Sequence, residues 1–365
     1  MKGNILLTGG NGFIGSHTAI SLIEGGYQVT ILDNLSNSRI GCLKALQKVA
    51  HPTEGQLKFA NCSLLDATDL DRVFQEFGPF EAVIHFAAFK HVGESQKKGL
   101  EYYENNLVGS INLMKVMRKH NCKRLIFSSS CTVYGDAKCP FDETTETGHG
   151  IEHPYGETKY MMERIFSDVY AQDKEWCITI LRYFNPIGAH PSGDMGEDPS
   201  GLLSNLVPFL QQVAIGKQDH INVFGTDYDT PDGTCIRDYI HVMDIAEGHV
   251  KALEFMQRNN YQGYDVFNLG TGKGSSVLEV IRSMEKACGF ELKKVMCSRR
   301  AGDRPDAYAV TDKAEKMLNW KAKYSVDDAC RDAWNWQHKH PNGYAEFEYR
   351  VCQKTIKTLS LVTSG

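Results

Sequence analysis

Short apolar runs alternate with longer amphipathic stretches through the first half of the chain. "NILLT" (4–8), "QVTILD" (28–33), "AVIHFA" (82–87), "RLIFSS" (124–129) and "CITILRYF" (177–184) are nearly continuous in apolar character. Such runs predict strands buried on both faces, as in a parallel sheet. Between them, residues 13–25, 37–50, 66–77, 96–120 and 155–173 carry helical spacing. Strand–helix alternation needs right-handed crossovers, so the predicted fold class is α/β, a Rossmann-type doubly wound parallel sheet.

Past residue 186 the rhythm breaks. "GAHPSGDMGEDPSG" (188–201) reads as loop, "SVLEVIRSMEKACG" (276–289) as a helix with a glycine stop, and "DYIHVMDIAEGHVKALEFM" (238–256) as a long helix. "DVFNLG" (265–270) is a late strand. The expected division is therefore a nucleotide-binding domain over 1–185, with 238–270 returning to it. A smaller, discontinuous C-terminal α/β substrate domain covers 186–345. Residues 346–365 form a weakly patterned tail that yields no reading.

Composition narrows the function classes. A net charge of −5 without a long basic run argues against a nucleic-acid partner. No window approaches about 18 unbroken apolar residues, so no membrane span is expected. The 11 cysteines are odd in number and lack a C-x-x-C pair, which suits a reducing compartment. The start, "MKGNILLTGG", lacks the apolar core of a signal peptide. A cytoplasmic protein is expected.

"LLTGGNGFIGSH" sets Gly9, Gly12 and Gly15 directly after the first strand and into the first helix. Glycines permit a tight turn and close approach of the backbone to a pyrophosphate, and the helix start offers free N–H groups. Asp33 closes the second strand, placed to accept hydrogen bonds from adenosine ribose hydroxyls and to repel a 2′-phosphate. That favours NAD over NADP. Asn34, Asn37 and Ser38 surround the same strand end, and Arg39 reads as a solvated cation at a helix start.

Three Tyr-x-x-x-Lys matches occur, Tyr134/Lys138, Tyr155/Lys159 and Tyr170/Lys174, and one is expected by chance with 16 tyrosines. Position decides between them. Tyr134 precedes the turn signal Gly135-Asp136. Tyr170 lies roughly 22 Å along the helix from Tyr155, toward the wrong sheet edge. Tyr155 follows Pro154 in the first helical turn, where residues four apart share a face. A phenol with a pKa of about 10 becomes a useful base near neutrality only if lowered by about three units. Lys159, a positive nicotinamide ring and the helix N-terminus all push that way. Ser130 and Thr132, at the end of the preceding strand, either cap that strand or hydrogen-bond a reacting sugar oxygen.

Together with "ILDNLSNS", "VIHFAAFKHVGES", "LEYYENN", "FSSSCTVYGD", "LRYFNPIGAHPSGDMGEDP" and "DGTCIRDYIHVMDIAEGHV", these residues resemble the extended short-chain dehydrogenase/reductase superfamily, and within it the UDP-glucose 4-epimerase family, from residue 4 to about 344. The resemblance implies a tightly held NAD that is not consumed. It implies that Tyr155 takes the proton of the sugar 4-hydroxyl while hydride passes to NAD⁺, with Ser130 assisting and Lys159 binding the nicotinamide ribose. Cofactor contacts carried over are Gly9, Gly12, Phe13, Ile14, Gly15, Asp33, Asn34, Asn37, Ser38, Cys62, Ser63, Phe86, Ala87, Lys90, Asn105, Ser128, Tyr155, Lys159 and Phe184. UDP-sugar contacts are Ser130, Thr132, Tyr155, Asn185, Asn205, Leu206, Asn222, Phe224, Arg237, Arg300, Asp303 and Ala307. Arg237 and Arg300 make physical sense because a diphosphate needs cations that bind in a fork. A homodimer through 96–120 and 155–173 is also implied.

Two positions depart from the family's pattern. Cys62 stands after the third strand, where relatives carry an acid near the adenine. Ala307 stands four residues after Asp303, where enzymes confined to glucose and galactose forms carry a tyrosine. A small side chain leaves room for a 2-acetamido group, so UDP-GlcNAc and UDP-GalNAc are expected substrates too. A 4,6-dehydratase would need an Asp-Glu pair where Cys131-Thr132-Val133 stands. A non-catalytic NAD sensor would not need the retained Tyr, Lys and Ser. The 13 histidines show no helical H-x-x-x-H ligand pair with a carboxylate, so no metal is expected.

Overall fold

The structure, a computed structural model, describes residues 1–199, 203, 205–258, 261–300 and 303–348. The tail read over 346–365 thus lies outside the described residues beyond 348.

Seven parallel strands form the central sheet, in the order Gly263–Leu269, Cys177–Tyr183, Arg124–Ser130, Ala82–His85, Lys2–Thr8, Tyr27–Asp33 and Leu57–Asn61. The first strand shows why the apolar runs were continuous. Ile5 and Leu7 point into one cluster with the helices Phe13–Glu24, Ile40–Ala50 and Val242–Gln257, whereas Leu6 points into a second with Ala67–Phe77, Gly109–Lys119 and Pro154–Gln172. All three side chains are fully buried. Both faces of a doubly wound sheet are core, so each alternation position is apolar.

The helices differ from the sequence reading in two places. The expected helix over 96–120 is broken: Gly99–Tyr103 and Gly109–Lys119 flank a wider π turn at Glu104–Val108. The expected helix over 238–256 starts as a strand, Tyr239–His241, and becomes helical only at Val242, where the His241 ring accepts from the Met243 N–H. Leu57–Asn61 is an edge strand that the apolar-run list missed, because its partly exposed residues (LKFAN) never build a continuous run.

The second half packs a smaller core around Val207, Leu210, Val280, Ile281, Met284, Cys330 and Ala333, from the helices Leu206–Ala214, Val277–Cys288 and Val326–Lys339. Gly289 stops the second of these in a left-handed conformation (φ 84°). Its strands are short. Ile221–Phe224 pairs with Lys294–Cys297, and Ile236–Arg237 lies between Ser275–Ser276 and Asp306–Ala307. Buried Asp238 joins this part to the main sheet. Its carboxylate accepts from the N–H and hydroxyl of Thr271 (2.8 and 2.7 Å) and from the N–H groups of Gly272 and Ala309 (both 3.2 Å).

Candidate active site

Strand order reverses between Lys2–Thr8 and its two neighbours, Tyr27–Asp33 and Ala82–His85, and ligands of doubly wound folds bind at such a switch point. The glycine turn sits there. Gly9 has φ +65°, and a Cβ on it would lie 2.6 Å from the Ala87 backbone N. Gly12 is the N-cap of Phe13–Glu24 without any side chain capping it, so the first N–H groups face outward. A cradle closed to Cβ atoms and lined by free N–H groups fits a dinucleotide pyrophosphate.

Asp33 is buried at the next strand end. It accepts from the Asn11 N–H (3.1 Å), the Leu35 N–H (2.9 Å) and the Ser38 hydroxyl (2.9 Å). Burial raises its pKa, and those three donors pull it back. Asn34 and Asn37 are exposed beside it. Cys62 is buried, with its thiol raised by burial and by Asp69, and Ser63 accepts from the Leu65 N–H. On the opposite side Phe86 leans on His249 (4.8 Å between centroids) and Phe13 on His17 (5.1 Å). Ile14 is half-buried, and Lys90 is exposed and paired with Glu197.

Tyr155 and Lys159 share the first turns of Pro154–Gln172. Pro154 enters the helix, and the His153 ring accepts from the Gly156 N–H (3.0 Å) as its cap while stacking on Tyr155 (8° between planes). Lys159 is buried, donates to the Ser128 carbonyl (2.5 Å), and lies 4.8 Å above the Phe127 ring and 5.9 Å from the Tyr155 ring centre. Ser130 accepts from the Thr132 N–H (3.3 Å), so it does cap the strand end, and it also stands beside the Tyr155 phenol. The capping expected of that serine cluster is thus present, and it leaves Ser130 next to Tyr155. The Thr132 hydroxyl is buried without a protein partner among the described residues.

The electrostatics correct one expectation. Burial pushes the Tyr155 phenol up to about 12, against a smaller downward pull from Ser130. Burial pushes Lys159 down to about 7, opposed by Glu163. Lys159 and the helix start therefore do not lower the phenol on their own, because desolvation of both groups wins. The other two candidate tyrosines are structural. The Tyr134 hydroxyl donates to Asn268 (2.6 Å) inside the core, and Tyr170 stacks near Tyr264.

The residues expected to hold the sugar nucleotide are placed more loosely. Arg237 (Nη2, 3.7 Å) and Arg300 (Nε, 2.9 Å) converge on one carboxylate, Asp303. Arg300 also covers the Phe224 ring (4.9 Å), and Arg237 donates to the Ile236 and Arg304 carbonyls. Asn222 lies on the same strand as Phe224, and the Cys297 thiol donates to its side chain. Asn205 is the exposed N-cap before Leu206, and the Asn185 amide reaches the Asp238 carbonyl (3.3 Å). Ala307 pairs in register with Arg237. Phe184 turns into a cluster with Tyr134, Phe141 and Ala309.

Four residues beside the site, Asn106, Tyr183, Glu163 and Arg182, escaped sequence reasoning. Asn106, in the π turn, is fully buried beside Asn105 and bonds the Phe89 N–H (2.8 Å), the Phe89 carbonyl and Thr158. Two adjacent asparagines give no cue as to which is buried. The Tyr183 hydroxyl pairs with His249 (2.5 Å) near Ser128 and Tyr155. Glu163 and Arg182 form a buried ion pair (2.7 Å) under Ser129. A glutamate and an arginine at helical and strand spacing otherwise read as surface.

Comparison with known proteins places the chain in a family. Residues 5–270 match the family described as "NAD dependent epimerase/dehydratase family". The chain is 49% identical over 347 residues, 94% of this chain and 97% of the other, to UDP-glucose 4-epimerase 2 of Arabidopsis thaliana. Among solved structures it is similar to UDP-glucose 4-epimerase from Bifidobacterium longum in complex with NAD+ and UDP (TM-score 0.88, 47% identity, 93% of this chain and 99% of that chain). It is also similar to the UDP-Glc/GlcNAc 4-epimerase of Campylobacter jejuni (TM-score 0.79, 35% identity, 92% and 99%). The chain belongs to the NAD dependent epimerase/dehydratase family, within the extended short-chain dehydrogenase/reductase superfamily. Inside that family it falls with the UDP-glucose 4-epimerases, isomerases whose cofactor is NAD.

Proposed function

We propose that the chain interconverts UDP-glucose and UDP-galactose by oxidising the hexose at C4 and reducing it again in place. Held by the Gly9–Gly15 turn and Asp33, NAD would supply the hydride acceptor and donor for C4. Tyr155 takes the 4-hydroxyl proton as the C4–H bond breaks, leaving a 4-keto sugar, and returns the proton after the sugar has turned its other face. Ser130 holds the oxygen that changes charge. Lys159 anchors the strand end through Ser128 and adds positive charge near the phenol. From about 12, a phenol active at neutral pH needs about 7 kcal/mol of preference for its anion. The nicotinamide ring and a protonated Lys159 push in that direction. Cys131-Thr132-Val133 forms a tight turn without the acid a dehydratase needs.

The observation that supports this most is the meeting of Tyr155, Lys159 and Ser130 at the sheet edge that also carries the uncapped glycine turn. Turnover of UDP-galactose to UDP-glucose by the purified protein tests it, and absence of turnover in a protein that carries NAD contradicts it.

The same pocket accepts N-acetylated sugars. Ala307 puts only a methyl group beside Arg237, and the similar Campylobacter jejuni protein is a UDP-Glc/GlcNAc 4-epimerase. Ala307→Tyr is expected to lower turnover of UDP-GalNAc at least about 100-fold while UDP-galactose changes only a few-fold. An equal effect on both sugars contradicts this. Leu100 (83%), Val108, Ile111 and Met161 are exposed apolar side chains within 99–119 and 154–172, which supports a homodimer through these segments. Location in the cytoplasm fits the dispersed cysteines, all ten described ones being free thiols.

A further inference from the structure

The acidic segment Asp194–Asp198 has no part in the chemistry above, yet it is fastened on both sides. Met195 is fully buried, and Glu197 is 9% exposed. Toward the nucleotide site, Glu197 pairs with Lys90 (3.0 Å), which follows the fourth strand, and Asp198 pairs with Arg39 (3.3 Å), which follows the second. The expectation that Arg39 is merely solvated is thus corrected. Its carbonyl also accepts from the Asn11 side chain inside the glycine turn (2.9 Å). Toward the C-terminal part, the Trp336 indole donates to the Glu197 carbonyl (3.3 Å), Tyr344 bonds both backbone groups of Gly196, and the Tyr344 N–H donates to Asp198 (2.9 Å).

The second and fourth strands flank the first on opposite sides. A segment held by Arg39 and Lys90 at once therefore crosses the ends of all three strands, at the Gly9–Gly15 turn. Met195 and His190 lie among the neighbours of His17, one turn into the helix that starts there. Two carboxylates beside an anionic pyrophosphate would repel it unless neutralised. Here both are neutralised by cations that belong to the nucleotide side. We propose that Asp194–Asp198 is a clasp that retains the dinucleotide: NAD leaves only when the Glu197–Lys90 and Asp198–Arg39 pairs open together. The inference rests on the NAD site described above.

The test uses the holoprotein and follows exchange of bound NAD for isotopically labelled NAD. Exchange in a Glu197→Gln/Asp198→Asn variant is expected to be about tenfold faster than in wild type. The Arg39 and Lys90 side chains are 42% and 56% exposed, so salt screens these pairs. Raising the salt concentration should speed exchange in wild type several-fold and leave the variant's rate unchanged. Asp71→Asn, which removes an equally paired carboxylate (Lys119, His120) away from the strand ends, should leave exchange at the wild-type rate. Exchange within twofold of wild type in the double variant, a salt response as large as wild type's, or equal acceleration in Asp71→Asn overturns the proposal. If the double variant does not fold, the wild-type salt response and Glu197→Gln alone still decide. Labelled NAD that never enters wild type while UDP-galactose still turns over leaves the NAD site standing and makes the clasp absolute in wild type, to be opened by salt. A wild-type protein that carries no NAD contradicts the site itself.

Discussion

The two ends of the site are built differently. At the proposed nucleotide end the groups are buried and hydrogen-bonded: Lys159 to a strand carbonyl, Asp33 to three donors, Asn106 to a loop and a helix. At the sugar-nucleotide end Arg300 is more than half exposed, and both arginines lean on one aspartate from strands or loops a few residues long. Rigid burial shifts pKa values and fixes reacting atoms, which chemistry needs. Cations near the surface suit binding of a charged substrate that must come and go. Breaking the first end should therefore cost rate, and breaking the second should cost affinity.

Tyr155→Phe is the strongest test of the first half of that contrast. It should lower kcat by at least about a thousandfold with NAD content and melting temperature kept. Arg237→Met tests the other half. It should raise KM for the UDP-sugar about 10- to 100-fold and change kcat much less. A kcat loss as large as that of Tyr155→Phe would erase the distinction.

A smaller effect comes from acid. Burial holds His17 and His85, both in the nucleotide half, down at about 3. The unfolded chain takes up each proton near 6.5, so the folded state is favoured fully above 6.5 and loses that advantage as pH falls toward 3. Between pH 7.5 and 5 each should cost about 2 kcal/mol, read as a lower denaturant midpoint. His85→Gln, which keeps a side chain for Thr8 and Ser110, should flatten part of that loss.

The same contrast explains how much was legible in the sequence. Strands buried on both faces leave continuous apolar runs, so six of the seven main-sheet strands stand out, and the glycine turn and Asp33 sit at the ends of two of them. The seventh, Leu57–Asn61, lies at the edge and half in water, and its sequence lacks the run. In the second half, strands of two to four residues are too short for any period, so Arg237 and Arg300 were assigned only through family resemblance. The break at Glu104–Val108 also escaped, since a π turn changes hydrogen bonding without changing the apolar spacing around it. The burial that raises the Tyr155 phenol also escaped, because the charges nearby could be read from the sequence and the desolvation could not.

The central claim is that C4 loses its hydrogen as hydride and receives the same one back. UDP-galactose carrying deuterium at C4 tests this most directly, with the UDP-glucose formed analysed by mass spectrometry and NMR. Retention of deuterium at C4 in ordinary water, and no deuterium at C4 when unlabelled substrate reacts in heavy water, is the predicted result. Washout of the label into solvent would contradict it.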